Sequence, residues 1–588
     1  MTLLDRLDQW KTRRGKRNLG DLESLLTRLE RTRIKDAASL IRLHETLLFL
    51  RAYPHSENAA RRADAILSDF PRRVEALAES GADLSPLEAE DASGIAGSTH
   101  TARFSYEVAR RLAHRHGEAI DIDWECLEAH NRMGPLPPLL VPHLADEWPV
   151  EHHVPIREWL DRGRPRGRTA LRWLLESIER LEPAPVRRAE LYDGLQLFLA
   201  WRLGRSRAAR SLTRIPARLF VHAGPLIPRR AVLLASELDG PPLPAERLPR
   251  QRAREILDII LDTSAVRYRE LHGFSHPDAS LVHSVQAGRG LEIFLFGVAP
   301  EGRLPLRAYH AGAFFKNGVP AGYFETLSFF ERAEAGFNLY YTFREGESAW
   351  IYAQILRACR QLLGVTCFSI DPYQIGHQNQ EAIGSGAFWF YRKLGFRSTD
   401  PSLERLASAE QLRLAGQPGS RTPPGVLRRL ARQPLIYEHN PAEPGAWDRF
   451  RIRHLGLASA AYLGARCGGD TLRMQAAARN LTSRALGEPF DSPLAQCLLL
   501  IPGIQGWSLS ERRLVRRILA AKRHGSEHEY LRCMQRHERL REALLELGSR
   551  TGGGDHTAGG QNRGGGQGRN RTALHGFPAP GDGAFPQS

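Results

Sequence analysis

Apolar residues in the first part of the chain recur every three or four positions, with charges between them. LESLLTRLERTRIKDAASLIRLHETLLFLRAY, Leu22 to Tyr53, is the clearest case. That spacing is the signature of helices with one buried face. ENAARRADAILSDFPRRVEALAE and TALRWLLESIERL repeat it. Breaks come at Pro135–Pro138, Arg162–Gly167 and Pro241–Pro244. Residues 1–245 are therefore expected to form an all-α N-terminal region.

The pattern changes after about residue 290. LEIFLFGVA is a continuous apolar run and predicts a buried strand. YHAGAFFK and VPAGYFETLSFF flank Asn317-Gly318, a dipeptide suited to both positive-φ positions of a type I′ turn, so a hairpin is expected. FERAEAG reads as a turn into a third strand, FNLYYTF. A helix, SAWIYAQILRACRQLLG, follows and is stopped by Gly364. VTCFSID predicts a strand, NQEAIGSGAFWFYRKLG a helix, and FRS the start of another strand. QPLIYEH, Gln433 to His439, adds one more. Residues 246–440 thus read as an α/β domain with a mixed sheet and a core at 306–400. Residues 441–549 return to the helical pattern. From 550 to 588 glycine and polar residues dominate, and that composition predicts disorder.

Composition adds limits rather than a function. The chain has 588 residues, long enough for several cores. The formal net charge is +16, and of 82 basic residues six are lysine, leaving 76 arginines. Arginine, alanine, glycine and proline are abundant throughout, which fits a GC-rich coding bias as well as a polyanion-binding surface. No apolar run reaches the ~20 residues of a membrane span, and the first twenty residues show no apolar signal-peptide core. A cytoplasmic protein is expected, with no membrane partner. The six cysteines are scattered without a CxxC pair, so neither a disulfide framework nor a zinc site is expected. His114, His116, His143, Glu147, His152 and His153 have ligand chemistry but no metal-site spacing.

The segments from 306 to 400, ending in GAFWFYRKLGF (Gly386–Phe396), resemble the GNAT-type N-acetyltransferase superfamily. The resemblance implies an acyl-CoA-dependent N-acyltransferase. Its co-substrate would be acetyl-CoA or another acyl-CoA, with an amine as acceptor and no metal. Asn338, Leu339, Tyr341 and Phe343 would lie on a strand that parts from its neighbour and receives the pantetheine arm. Arg344, Gly346, Ser348 and Ala349 would form the diphosphate turn, where free N–H groups at a helix start attract anions. Asn379 would also meet the donor, although it stands twelve residues before Tyr391. By the same resemblance Tyr391 would protonate the departing thiolate. Glu325 and Glu334 are the candidate bases for the amine; Asp371 and His377 are weaker ones.

Each of these residues also has a structural reading. Tyr391 belongs to four consecutive aromatics, some of which must pack. Glu345 and Glu347 flank the proposed diphosphate turn, where like charge opposes an anion, and both also suit a helix start. A non-catalytic GNAT-fold scaffold therefore stands as the alternative. Its helical, Arg-rich regions would bind a protein or a nucleic acid. Arg512, Arg513, Arg516, Arg517, Lys522 and Arg523 are the basic band that such binding would use.

Overall fold

The computed structural model describes residues 2–12, 19–130, 136–140, 142–143, 156–417 and 419–550. The tail from 551, together with Glu147, His152 and His153, lies outside the described residues. The chain is a mixed α/β protein, in which a nine-stranded sheet stands between helical N- and C-terminal regions.

The N-terminal region opens with helices of the expected periodicity. Ala37–Ala52 is capped by Asp36, whose carboxylate accepts the Ser39 N–H at 2.8 Å. The region is not all-α, however. Thr99–Arg103 (β1), Ile120–Ile122 (β2) and Phe198–Arg202 (β3) form a small antiparallel sheet in the order β1-β3-β2. These strands have three to five residues. That is too short for an alternating pattern to stand out from helical neighbours.

The large sheet runs β11-β12-β10-β9-β8-β7-β6-β5-β4. Its members are Ala245–Arg247 (β4), Pro277–Gly288 (β5), Leu291–Val298 (β6), Ala308–Lys316 (β7), Val319–Phe329 (β8), Arg332–Leu339 (β9), Cys367–Ile370 (β10), Arg397–Ser398 (β11) and Leu435–Glu438 (β12). β4 and β5 extend it beyond the expected first strand. β7 is buried along its whole length, because both faces of the sheet are covered. The β7–β8 turn has Asn317 at φ 49° and Gly318 at φ 77°, as the Asn-Gly pair predicts. The strand expected at Gln433 to His439 forms over Leu435–Glu438 and pairs antiparallel with β10. Helix Ser348–Leu363 ends at Gly364, which adopts φ 70°.

Two corrections bear on the site. The third strand is not 337–343: β9 begins at Arg332, one two-residue turn after β8, and ends at Leu339. Tyr341–Phe343 is a single turn of 3-10 helix, so of the four residues expected on the splayed strand only Asn338 and Leu339 are in it. The helix expected across 379–395 is two helices, Gln380–Ser385 and Ala387–Arg392, divided at Gly386 with φ 68°.

Candidate functional site

β9 and β10 are parallel neighbours for three residues only, Arg332–Glu334 against Cys367–Ser369. All other strand pairs in the large sheet are antiparallel. Beyond Glu334 the two strands part. β9 continues to Leu339 without a partner on that side, while β10 stops at Ile370 and Asp371 caps the following turn by accepting the Tyr373 N–H at 2.8 Å. An open cleft occupies the space beyond the parting, with a volume of ≈ 760 Å³ including its solvent-facing mouth.

Six parts of the chain line this cleft, one of them Arg344 from the turn after β9. β9 gives Phe337 and Asn338. The turn after β10 gives Tyr373 and Gln374. The paired helices give Asn379, Glu381, Ser385, Ala387 and Tyr391. Glu90 and Arg269 arrive from outside the 306–400 segment. The mouth charges are paired: Arg269 with Glu90 at 2.5 Å, and Arg344 with Glu381 at 2.8 Å. Tyr341 donates its hydroxyl to Glu381 at 3.2 Å, and the Arg344 guanidinium lies 4.0 Å over the Tyr341 ring.

Tyr391 both packs among the aromatics and faces the cleft. Its ring packs edge-on against Tyr352, Phe390 and Phe396, while the residue also lines the cleft. The hydroxyl donates to the Gln374 side-chain oxygen at 3.1 Å. Burial holds its pKa above the ordinary tyrosine value, so the proton stays on at neutral pH. Asn379 caps the helix Gln380–Ser385 by accepting the Ala382 N–H at 3.0 Å.

The other sequence candidates disperse. Leu339, Phe343 and Ala349 are buried. Glu325 is buried too, and it accepts the Tyr309 hydroxyl. Burial raises its pKa to about 7 against the pull of that hydrogen bond. Glu334 is half-buried, stands 3.6 Å from Arg307, and precedes Asn338 by four residues, roughly 13 Å along a strand. Neither carboxylate is among the cleft residues; Glu90 and Glu381 are.

Comparison with protein-family models, with curated proteins and with solved structures finds no match to this chain. The cleft must therefore be read from its own geometry.

The turn at Gly346 differs in kind from the cleft. Glu347 is fully buried at the start of helix Ser348–Leu363. Its carboxylate binds Lys316 Nζ at 2.7 Å and Arg289 Nε at 3.0 Å, and accepts the Ile227 N–H at 3.2 Å. Burial raises its pKa, but the two cations more than offset that and hold it below the usual carboxylate range. The Tyr53 hydroxyl accepts the Glu347 N–H at 3.4 Å and stands where a side chain on Gly346 would go. Ser348 is half-buried, and Glu345 reaches outward to Lys11 at 3.0 Å. The residues at this turn do not fit a diphosphate, because the protein's own carboxylate and a tyrosine fill the position.

Sequence reasoning missed Gln374, Tyr373, Glu381, Glu90 and Arg269. The first two stand two and three residues after VTCFSID, the run that predicted β10, so their neighbourhood was legible. Glu90 and Arg269 carried no signal, since only the folded chain brings them to this place.

Proposed function

We propose that the chain is a GNAT-like N-acyltransferase that moves an acyl group from a thioester, such as acetyl-CoA, to an amine. The observation that carries the reading is the three-residue pairing of β9 and β10. Strands that part in this way leave backbone groups of β9 without a ladder partner, and an extended thioester arm can take up those hydrogen bonds.

In the reaction the amine nitrogen attacks the thioester carbonyl carbon. A C–N bond forms, the C–S bond breaks, and the thiolate leaves. Tyr391 gives its proton to the sulfur; its raised pKa keeps it protonated until that moment. The attacking amine loses one proton, which one cleft carboxylate, Glu381 or Glu90, accepts rather than Glu325 or Glu334. Thiol release from acetyl-CoA in the presence of an amine library tests this. Tyr391→Phe should lower kcat about a hundredfold while leaving KM within about threefold. Unchanged kcat sinks the role of Tyr391, and no thiol release from any donor sinks the activity.

A second reading concerns the C-terminal helices. Helix Leu509–His524 turns Arg513, Arg516, Arg517 and Arg523 to solvent. Lys522 is instead engaged by Glu527 at 2.9 Å, and Arg512 reaches the Ala485 carbonyl at 3.3 Å. Four arginines on one face support docking of a single-stranded nucleic acid. Affinity should then fall steeply with salt, by a log–log slope of about −0.7 per phosphate engaged. No binding at low salt removes this reading.

A further inference from the structure

The β9 wall of the cleft, Phe337 and Asn338, and the turn at Gly346 lie within ten residues of each other, and of the two places only the cleft is open. We propose that the acyl donor is recognised through its thioester arm alone, and that the nucleotide diphosphate of CoA has no seat at the start of helix Ser348–Leu363. This inference rests on the acyl-transfer reading and narrows its substrate class to acyl-pantetheine thioesters, whatever the far end of the arm is attached to.

A helix start draws an anion by its unpaired N–H groups and its positive dipole end. Here the anion is built in. The Glu347 and Lys316 side chains are both fully buried and 2.7 Å apart. The Lys316 ammonium lies over the Tyr53 ring at 5.0 Å and over the Trp350 ring at 5.1 Å. Arg289 adds a second cation from a partly exposed position, so Glu347 is held by two positive charges. Ala349 and Trp350, the next residues of the helix, are buried as well. A diphosphate arriving here would have to displace Tyr53, the buried residue that ends helix Ala37–Ala52, and would meet a fully buried carboxylate. The arm side has no such obstacle, since Asn338, Asn379 and Tyr391 all line open space.

Two sources carry the same arm: free acyl-CoA and an acyl group on a carrier protein. Calorimetry on the full chain with CoA, pantetheine and 3′,5′-ADP separates the parts of the ligand. Turnover with acetyl-CoA, acetyl-pantetheine and an acetyl-loaded acyl carrier protein separates the sources. The expected result is that pantetheine binds within about threefold of CoA, 3′,5′-ADP does not bind, and acetyl-pantetheine is a competent donor; a seated diphosphate would be worth about a hundredfold or more. A carrier-borne donor turned over faster than acetyl-CoA identifies the carrier as the source, and equal turnover identifies free thioesters. Binding of 3′,5′-ADP, or a hundredfold advantage of CoA over pantetheine, overturns the inference and leaves acyl transfer standing. If none of the ligands binds and no donor is turned over, the acyl-transfer reading fails and this inference falls with it.

Discussion

Two ends of the stretch from Asn338 to Ser348 behave in opposite ways. At the β9 end the charges are solvent-facing and paired across the mouth of a cleft, as Arg344 with Glu381. Three residues after Arg344, Glu347 is sealed in the core with Lys316. Both places hold an ion-paired carboxylate at hydrogen-bond distance, Glu381 with Arg344 and Glu347 with Lys316 and Arg289. The surroundings decide what each pair can do. In the mouth, water screens both partners, and they can exchange with a ligand. In the core each charge depends on the other, and the pair behaves as part of the packing.

The sharpest way to break this comparison is to remove one carboxylate from each place. Glu347→Ala leaves the Lys316 ammonium buried without its partner, so we expect a loss of about 3–5 kcal/mol in stability. Glu381→Ala removes a half-exposed partner and should cost about 1 kcal/mol or less. Urea denaturation of the two variants measures both. Equal losses would show that the two ion pairs do not differ as their burial says.

The same contrast explains what the sequence disclosed. Asn317-Gly318 and Gly364 were legible because each needs a positive φ that few residues adopt. β9 was misplaced for a physical reason. Its buried positions within FERAEAG, Ala333, Ala335 and Gly336, are small, and Arg332 and Glu334 between them are half-exposed, so FERAEAG looked like a turn. FNLYYTF looked like a strand because of its aromatics, yet Tyr340 lies beneath the Arg267 guanidinium at 4.2 Å and the chain turns after it. The parting of β9 from β10 was expected from the resemblance, and its place shifted along the chain with the strand. The fate of Glu347 was not legible at all. Lys316 and Arg289 stand 31 and 58 residues before it in sequence, and nothing local distinguishes Glu347 from an ordinary acidic helix start.

Glu325 offers a smaller and pH-dependent test of the same rule, with burial acting on a carboxyl that has no cation. Its pKa rises from an ordinary 4.5 to about 7. Between those values the native carboxyl keeps a proton that the unfolded chain has released. Stability therefore falls as pH rises through this window, by roughly 3 kcal/mol in all. Below it the penalty is absent, and above it the penalty is complete. Glu325→Gln cannot ionise, so the difference in stability between variant and parent should grow in the variant's favour from pH 4.5 to 7. A difference that stays flat across this range would mean that Glu325 is not held protonated by its site.

The smallest effect separates structure from ligand contact at one residue. Asn379 lines the cleft and also caps the helix Gln380–Ser385 through the Ala382 N–H. Asn379→Ala should cost about 1 kcal/mol by loss of the cap. Asn379→Asp keeps a cap acceptor and adds a negative charge at a helix start, so stability should be retained. The two variants diverge on the donor. A donor contact through the Asn379 amide nitrogen is lost in both, and thioester affinity should then fall in Asn379→Asp despite its intact fold. If affinity falls only in Asn379→Ala, in step with its stability, Asn379 serves the cleft by holding the helix and touches no donor. Paired measurements of denaturation midpoint and pantetheine affinity decide between the two, because only a direct contact uncouples them.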